Sequence, residues 1–302
     1  MWYAPTRQAW ALAIALVTTT VSAAQKPTVP PGKDPGGTAI AVITTGIDYT
    51  DPIIAACLAR DGEGELIAWD IIDNDRKPWR DPTLKPTPSW GTSSNQVLKS
   101  VPCQAGIRII AVRVDPSQPI TLGKALAFIA QTPARIAVLP MWSETIEDWL
   151  AFGSAADSFK DVLIITAAGD EQRNIDLAPV YPAAFALPGA NWPALNNLVV
   201  VGSAHGDTRT QTNTSNFGSR TVALTVMERA SDQPTSSFPN ASPSGRAAID
   251  VAWSLACSIT NDTKPVTTAK LKARLLELRR VEPTSDGRML FDPGCRNQQP
   301  AR

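Results

Sequence analysis

The chain has 302 residues, 43% of them hydrophobic, and its 28 basic and 28 acidic residues leave a formal net charge of zero. That length and composition can bury the core of one large domain or of two small ones. The balanced charge, without a long basic run, argues against nucleic acid and against an anionic membrane surface as partners.

The first residues have the features of a secretory signal peptide. Arg7 is the only charge before Lys26, residues 10–17 are an apolar run, and Val21-Ser22-Ala23 has the small residues of a cleavage site. The apolar run is short against the roughly 20 residues that a membrane-spanning helix needs. We therefore expect residues 1–23 to be removed and the chain to be periplasmic or secreted, with no membrane span after cleavage. A membrane anchor is the alternative.

The remaining elements predict one large α/β domain. Residues 24–37 are rich in proline and glycine, as linkers are, and residues 284–302 predict an irregular tail. Apolar runs predict strands at 39–43, 65–69, 107–113, 135–139, 162–166 and 196–202, and the intervening patterns predict helices at about 51–60, 91–100, 121–131, 144–158, 243–258 and 266–280. Continuous apolar strands that alternate with helices are typical of a mainly parallel sheet flanked by helices, a three-layer arrangement.

Four cysteines are candidates for disulfide bonds, because an even set in an oxidising compartment is normally paired. They are Cys57, Cys103, Cys257 and Cys295. None has the C-x-x-C spacing of a zinc site. The sequence does not determine the pairing. Cys57–Cys103 with Cys257–Cys295 closes the shortest loops, and buried free thiols are the alternative. We predict no metal and no cofactor.

Chemistry is expected where the first strand ends. The strand at 39–43 runs into Thr44-Thr45-Gly46, and a buried strand that delivers a small polar side chain to a tight turn is typical of α/β enzyme sites. Threonine at that place, however, is neither an acid nor a base.

The order of motifs after the strands resembles that of the subtilisin-like serine peptidases, or subtilases. In that family the first strand ends in Asp-Thr-Gly-Ile-Asp, and this chain has TTGID at 44–48. Six later segments of this chain resemble further landmarks of the family, in the same order. They are AWDIIDNDRKP (68–78), GIRIIAVRV (106–114), VLIITAAGDEQRN (162–174), YPAAF (181–185), NLVVVGSA (197–204) and SNFG (215–218). The resemblance covers about residues 38–280 and implies a subtilisin-like peptidase domain over residues 38–283.

The same resemblance implies that the catalytic machinery is degenerate. Subtilases use an Asp, His and Ser triad together with an oxyanion-hole asparagine. The aspartate position falls on Thr44, the histidine position on Trp90 and the oxyanion asparagine on Asp170. NASPSGRAAIDVAWSLA (240–256) places Ser242 at the nucleophile. An indole has no basic nitrogen, so Trp90 cannot replace a histidine.

Other groups that might supply a base are weak candidates. The single histidine, His205, lies in a segment that the family places away from the triad, and we interpret it as a loop residue. Asp48 and Asp51 are better interpreted as surface or capping acids. The related sedolisins carry an aspartate at the oxyanion position but also need two acids on the helix that begins here near Trp90, and SWGTSSNQVLKS (89–100) has none.

The edge that binds peptides in the family is altered as well. Its Met-Ser-Leu-Gly segment aligns with Met141, Trp142, Ser143 and Glu144, and Pro140 precedes them. Proline removes an N–H near that edge, and Trp142 and Glu144 replace small residues. We expect an occluded groove; an alignment shift of one residue is the alternative. We expect Trp149 to pack in the core, and Ile53 stands where the family has a calcium-binding aspartate.

Three functions are compatible with this pattern. The first is an exported pseudopeptidase that binds a protein or peptide, such as an intact subtilase or another envelope protein. The second, from another class, is a divergent active serine endopeptidase that uses Ser242. The third is a structural envelope protein. Fold analogy alone does not choose among them.

Overall fold

The computed structural model describes residues 26–81, 98–99, 106–189, 191–205, 215–228, 242–260, 266–278 and 290–291. Their strands form one sheet in which every adjacent pair is parallel, in the order β2-β3-β1-β4-β5-β6-β7-β8. The strands are β1 (Thr38–Thr44), β2 (Trp69–Asp70), β3 (Ile107–Arg113), β4 (Ile136–Leu139), β5 (Leu163–Ala167), β6 (Leu198–His205), β7 (Leu224–Glu228) and β8 (Leu290–Phe291).

Helices cover the sheet. The α-helices are α1 (Pro52–Ala55), α2 (Ile120–Ile129), α3 (Leu150–Ser158), α4 (Pro243–Ile259) and α5 (Thr268–Glu277), and short 3-10 helices lie at Ile146–Trp149 and Ala183–Ala186. No helix among the described residues is long and apolar enough to cross a membrane.

Alternating side chains of β1 show why three layers form. Ile40 and Val42 lie in one buried cluster, which includes most of α4, while Ala41 and Ile43 lie in a second cluster with α2 and α3. Successive side chains of a strand point to opposite faces of the sheet, so an uninterrupted apolar strand needs a helical layer on each face. The predicted three-layer α/β fold is confirmed.

The helices pack closely on both faces of the sheet. Helix α4 is buried over most of its length and packs against β4, β5 and β6, as a helix that is apolar on nearly all sides must be. On the other face α2 packs against α3, and a Cβ at Gly123 would lie 2.9 Å from the Ala151 carbonyl oxygen. Glycine at this position therefore permits the close approach of the two helices.

Several predicted elements differ from those observed. The helix predicted over 51–60 is only Pro52–Ala55, because the chain then turns to pair with β3: the Ala59 N–H donates to the Ile109 carbonyl, and the Ile109 N–H donates to the Cys57 carbonyl. The strand predicted at 65–69 is reduced to Trp69–Asp70. Strands β7 and β8 were not predicted. His205 ends β6, so its interpretation as a loop residue was wrong.

Candidate functional site

The candidate site lies at the carboxyl ends of the strands β1, β4 and β5, which are neighbours in the sheet. Residues 44–47, 140–144 and 168–174 follow these strands directly, and the N-terminus of α4 meets the segment that follows β5. Ligands of open parallel sheets bind at this edge.

Thr44 is the last residue of β1 and is 1% exposed. Its hydroxyl donates to the Gly46 carbonyl oxygen at 3.3 Å, and Gly46 has a φ of 120°, which favours glycine. The adjacent Thr45 hydroxyl accepts a 2.6 Å hydrogen bond from the Arg80 guanidinium. Burial, with the nearby charge of Arg113, lowers the pKa of Arg80. The tight turn after β1 is therefore present. At the position where the resemblance places the catalytic aspartate, the side chain is the neutral hydroxyl of Thr44.

Ser242 caps α4. Its Oγ accepts a hydrogen bond from the Gly245 N–H at 2.9 Å and donates one to Asp170 Oδ2 at 2.5 Å. The Arg246 N–H donates to the Ser242 carbonyl at 2.9 Å. A serine in this position satisfies N–H groups that otherwise have no partner in the first helical turn.

Asp170 is the second half of this pair. Its Oδ1 accepts the Ser244 N–H at 3.1 Å. Burial raises the pKa of Asp170 to about 6, against the opposing hydrogen bonds from Ser242 and Ser244. At neutral pH the carboxyl is therefore mostly ionised, and its charge faces both the serine hydroxyl and the positive end of the α4 dipole. The two residues were predicted separately, and the fold brings them into direct contact.

The segment at 140–144 is held in place by hydrogen bonds and an ion pair. Its residues Pro140, Met141 and Trp142 are buried, and the backbone N–H and C=O of Ser143 are both paired with Tyr181, at 3.0 and 2.8 Å. Glu144 forms a 3.0 Å ion pair with Arg173. The segment is therefore held at two points by the connection that follows β5.

Trp142 connects this segment to the residues that follow β5. Its indole is 6% exposed and donates to Glu171 Oε1 at 2.5 Å, while Glu171 Oε2 accepts from the Asn216 side-chain amide at 2.5 Å. A Cβ at Gly169 would lie 3.0 Å from the indole nitrogen, so the ring lies directly over this glycine. The Trp142 ring therefore connects the segments that follow β4 and β5, and occlusion of a peptide groove stays a prediction.

The sequence did not identify Glu171 and Asn216 as parts of the site. The Asn216 side chain also accepts from the N–H groups of Glu171 and Arg173, at 3.0 and 3.1 Å. Asn216 lies in the SNFG motif, which the sequence analysis matched to the family without assigning it a part in the site. Glu171 lies in VLIITAAGDEQRN, directly after Asp170. Membership of these two motifs was the available signal for both residues.

Several other predictions are decided by local contacts. The Asp51 side chain caps α1 by accepting from the Ile53 N–H at 2.9 Å, which confirms its interpretation as a capping acid. Asp48 accepts from the N–H and hydroxyl of Thr50. Trp149 is fully buried and donates to Ser143 Oγ at 2.9 Å, which confirms core packing. Ile53 is 52% exposed on α1.

Some predictions fall outside the described residues. Trp90 is one of them, so its assignment to the histidine position stays a prediction. Cys103 and Cys295 are others. Cys57 is buried beside β3 and Cys257 is half-buried near the end of α4, and their pairing stays a prediction.

Comparison with known proteins identifies the fold. No protein-family model and no curated protein matches the sequence. Among solved structures, a cold-adapted subtilisin-like serine proteinase matches with a TM-score of 0.57 at 18% identity, covering 87% of this chain and 91% of that one. The nisin leader peptidase NisP from Lactococcus lactis gives 0.59 at 12% identity, covering 89% and 87%.

A third structure agrees with these two. The epidermin leader-peptide-processing serine protease of Staphylococcus aureus gives a TM-score of 0.60 at 14% identity, covering 85% of this chain and 74% of that one. At these identities the likeness establishes a common fold, and activity has to be argued from the residues of the site.

Proposed function

We propose that this chain, which has the fold of the subtilisin-like serine proteases, is an exported, non-catalytic protein that binds a protein or peptide partner. The observation that carries the proposal is that Asp170 Oδ1 and Ser242 Oγ already accept the first N–H groups of α4, those of Ser244 and Gly245, at 3.1 and 2.9 Å. Export rests on the predicted signal peptide.

Acyl transfer by a serine needs donors for the oxyanion as well as a base. The first N–H groups of α4 are already used internally, by Asp170 for Ser244 and by Ser242 for Gly245. Asp170 would add a negative charge where negative charge has to develop. Removal of the oxyanion-hole asparagine of subtilisin, where the effect was measured, lowers turnover by a factor of about 10²–10³.

The predicted occlusion of the groove bears on the kind of partner. An extended peptide would have to displace Trp142 from Glu171 and compete with Tyr181 for the backbone of Ser143. A partner that binds the outer surface needs neither change. Leu177, on the loop that follows Asp170, is 82% exposed and could contact such a partner. We therefore favour a folded protein, such as an intact subtilase or an envelope protein, over an extended peptide.

The active endopeptidase is retained as a second candidate because of the 2.5 Å hydrogen bond that the Ser242 hydroxyl donates to Asp170. A carboxylate in contact with a serine hydroxyl is a possible general base. Since the pKa of Asp170 is raised to about 6 by burial, an enzyme of this kind would gain activity as the pH rises through that value.

A fluorophosphonate probe tests the proposal. The purified chain, Ser242→Ala and Asp170→Asn are treated on both sides of the Asp170 pKa, with subtilisin as the positive control for the probe. We expect no labelling of Ser242, because the resemblance assigns the histidine position to Trp90 and because the first N–H groups of α4 are already used within the protein. Labelling of the wild type that is lost in Ser242→Ala would establish the endopeptidase instead. Recovery of the protein alone from envelope extracts would favour the structural alternative over binding.

A further inference from the structure

The ammonium group of Lys26 lies among oxygen atoms of the acidic loop, residues 70–77. Lys26 Nζ is 2.6 Å from Asp70 Oδ2, 2.8 Å from Asp73 Oδ2 and 3.1 Å from both carboxylate oxygens of Asp75. It also donates to the Lys77 carbonyl at 2.9 Å. Burial by itself lowers the pKa of Lys26, but the hydrogen bonds to the three aspartates outweigh it and raise that pKa above its ordinary value.

The charge balance of this cluster depends on Lys26. Arg113 Nη1 contacts the same oxygens of Asp70 and Asp73, at 2.8 and 2.9 Å, so two cations face three carboxylates. Asp70 is fully buried. Removing one partner of a buried ionic cluster leaves charge uncompensated and is strongly unfavourable.

Lys26 begins a segment, residues 26–37, that we call the strap. Its composition predicts a linker, yet it is fastened to the domain at several points. The Tyr49 hydroxyl donates to the Pro27 carbonyl at 2.8 Å, and the Arg60 guanidinium donates to the Pro30 carbonyl at 2.8 Å. Asp34 accepts from the Arg60 N–H at 2.8 Å and pairs with Arg108 at 3.0 Å.

The acidic loop leads directly to the turn after β1. The Ile47 N–H donates to the Pro78 carbonyl at 2.9 Å, and the Arg80 N–H donates to the Ile47 carbonyl at 3.1 Å. The ring of Trp79 lies 5.1 Å from that of Tyr49, which also holds the strap. The strap, the acidic loop and the turn that carries Thr44 are therefore one connected unit.

We propose that Lys26 is a built-in counter-ion that locks the strap onto the acidic loop. With cleavage after Ala23, as the sequence predicts, Lys26 is close to the new N-terminus, so the lock fastens the beginning of the exported protein. The lock does not depend on the proposed binding function, and its test measures neither binding nor catalysis.

Limited trypsin digestion of the full chain tests the lock. Lys26→Met removes the ammonium but keeps a long side chain, and Lys124→Met makes the same change at an exposed position on α2. Mass spectrometry follows cleavage of the Lys33–Asp34 bond, which lies in the strap. We expect cleavage there to be roughly tenfold faster in Lys26→Met, since local opening exposes the bond when a buried ionic partner is lost. Lys124→Met should behave as the wild type.

A second bond separates local release from general unfolding. Lys160–Asp161 has the same residue pair, and its lysine side chain is 71% exposed, so its cleavage reports changes that affect the whole molecule. The proposal requires the ratio of Lys33 to Lys160 cleavage to rise in Lys26→Met alone. An unchanged ratio in that variant, or an equal rise in Lys124→Met, would overturn it.

Discussion

Among single residues, Asp170 governs how the candidate site responds to pH. Burial raises its pKa to about 6, above the roughly 3.9 of an unfolded chain. A raised pKa means that the folded state holds the proton more tightly. Stability from this group is therefore full below the unfolded pKa and is lost as the pH rises through the folded value. The ionised carboxyl destabilises the fold at neutral pH.

This argument predicts the effect of Asp170→Asn. The amide does not ionise, can still accept from the Ser244 N–H and can donate to Ser242. We expect the variant to be more stable than the wild type above about pH 7, by on the order of 3 kcal/mol, and to approach it below about pH 4. Urea unfolding across this range measures the difference. Asp161→Asn, at an exposed position, is the control, and a constant difference at every pH would contradict the prediction.

Between elements, Trp142 is the main connection of the segment after β4 to the loop after β5. The buried ring fills the space over Gly169 and binds Glu171. Trp142→Ala removes this packing and leaves the Glu171 carboxylate without one donor, so we expect a loss of about 3–5 kcal/mol in unfolding free energy. Chemical denaturation measures it.

Glu144→Gln is the matched comparison, because it weakens only the exposed ion pair with Arg173 in the same connection. Such a pair contributes about 0–1 kcal/mol. If Trp142→Ala lost no more stability than Glu144→Gln, the indole would not be the main connection between the two segments.

For the molecule as a whole, β1 joins the two cores. Ile40 and Ile43 are fully buried on opposite faces of the same strand. Because both layers depend on this strand, we expect Ile40→Ala and Ile43→Ala each to lower one common unfolding transition, by about 2–5 kcal/mol. Circular dichroism and tryptophan fluorescence should agree in midpoint. Ile120→Ala, at a position 57% exposed, should change little, and separate transitions for the two probes would show that the layers unfold independently.

The central strands were predictable because they are apolar on both faces. Strand β3 occupies the predicted residues 107–113, and β1, β4 and β5 lie within a residue or two of their predicted ends. Where neighbours in space decide the structure, prediction failed. Residues 57–59 continue a helical pattern but pair with β3, and the proline-rich residues 26–37 are held by charged groups far along the chain.

The sequence by itself determined the alternation of strands and helices and the fold class, because local apolar runs carry that information. The resemblance to the subtilases singled out the positions Thr44, Asp170 and Ser242. The tertiary structure alone decided the contacts that give those positions their chemistry. Ser242 and Asp170 are 72 residues apart, Lys26 and Asp70 are 44 apart, and Trp142 and Glu171 are 29 apart. Trp142 and Glu171 meet because β4 and β5 are neighbours in the sheet, so the segments at their carboxyl ends lie side by side. The other two contacts join the N-terminus of α4 and the strap to segments that follow strands, and no local pattern in the sequence indicates them.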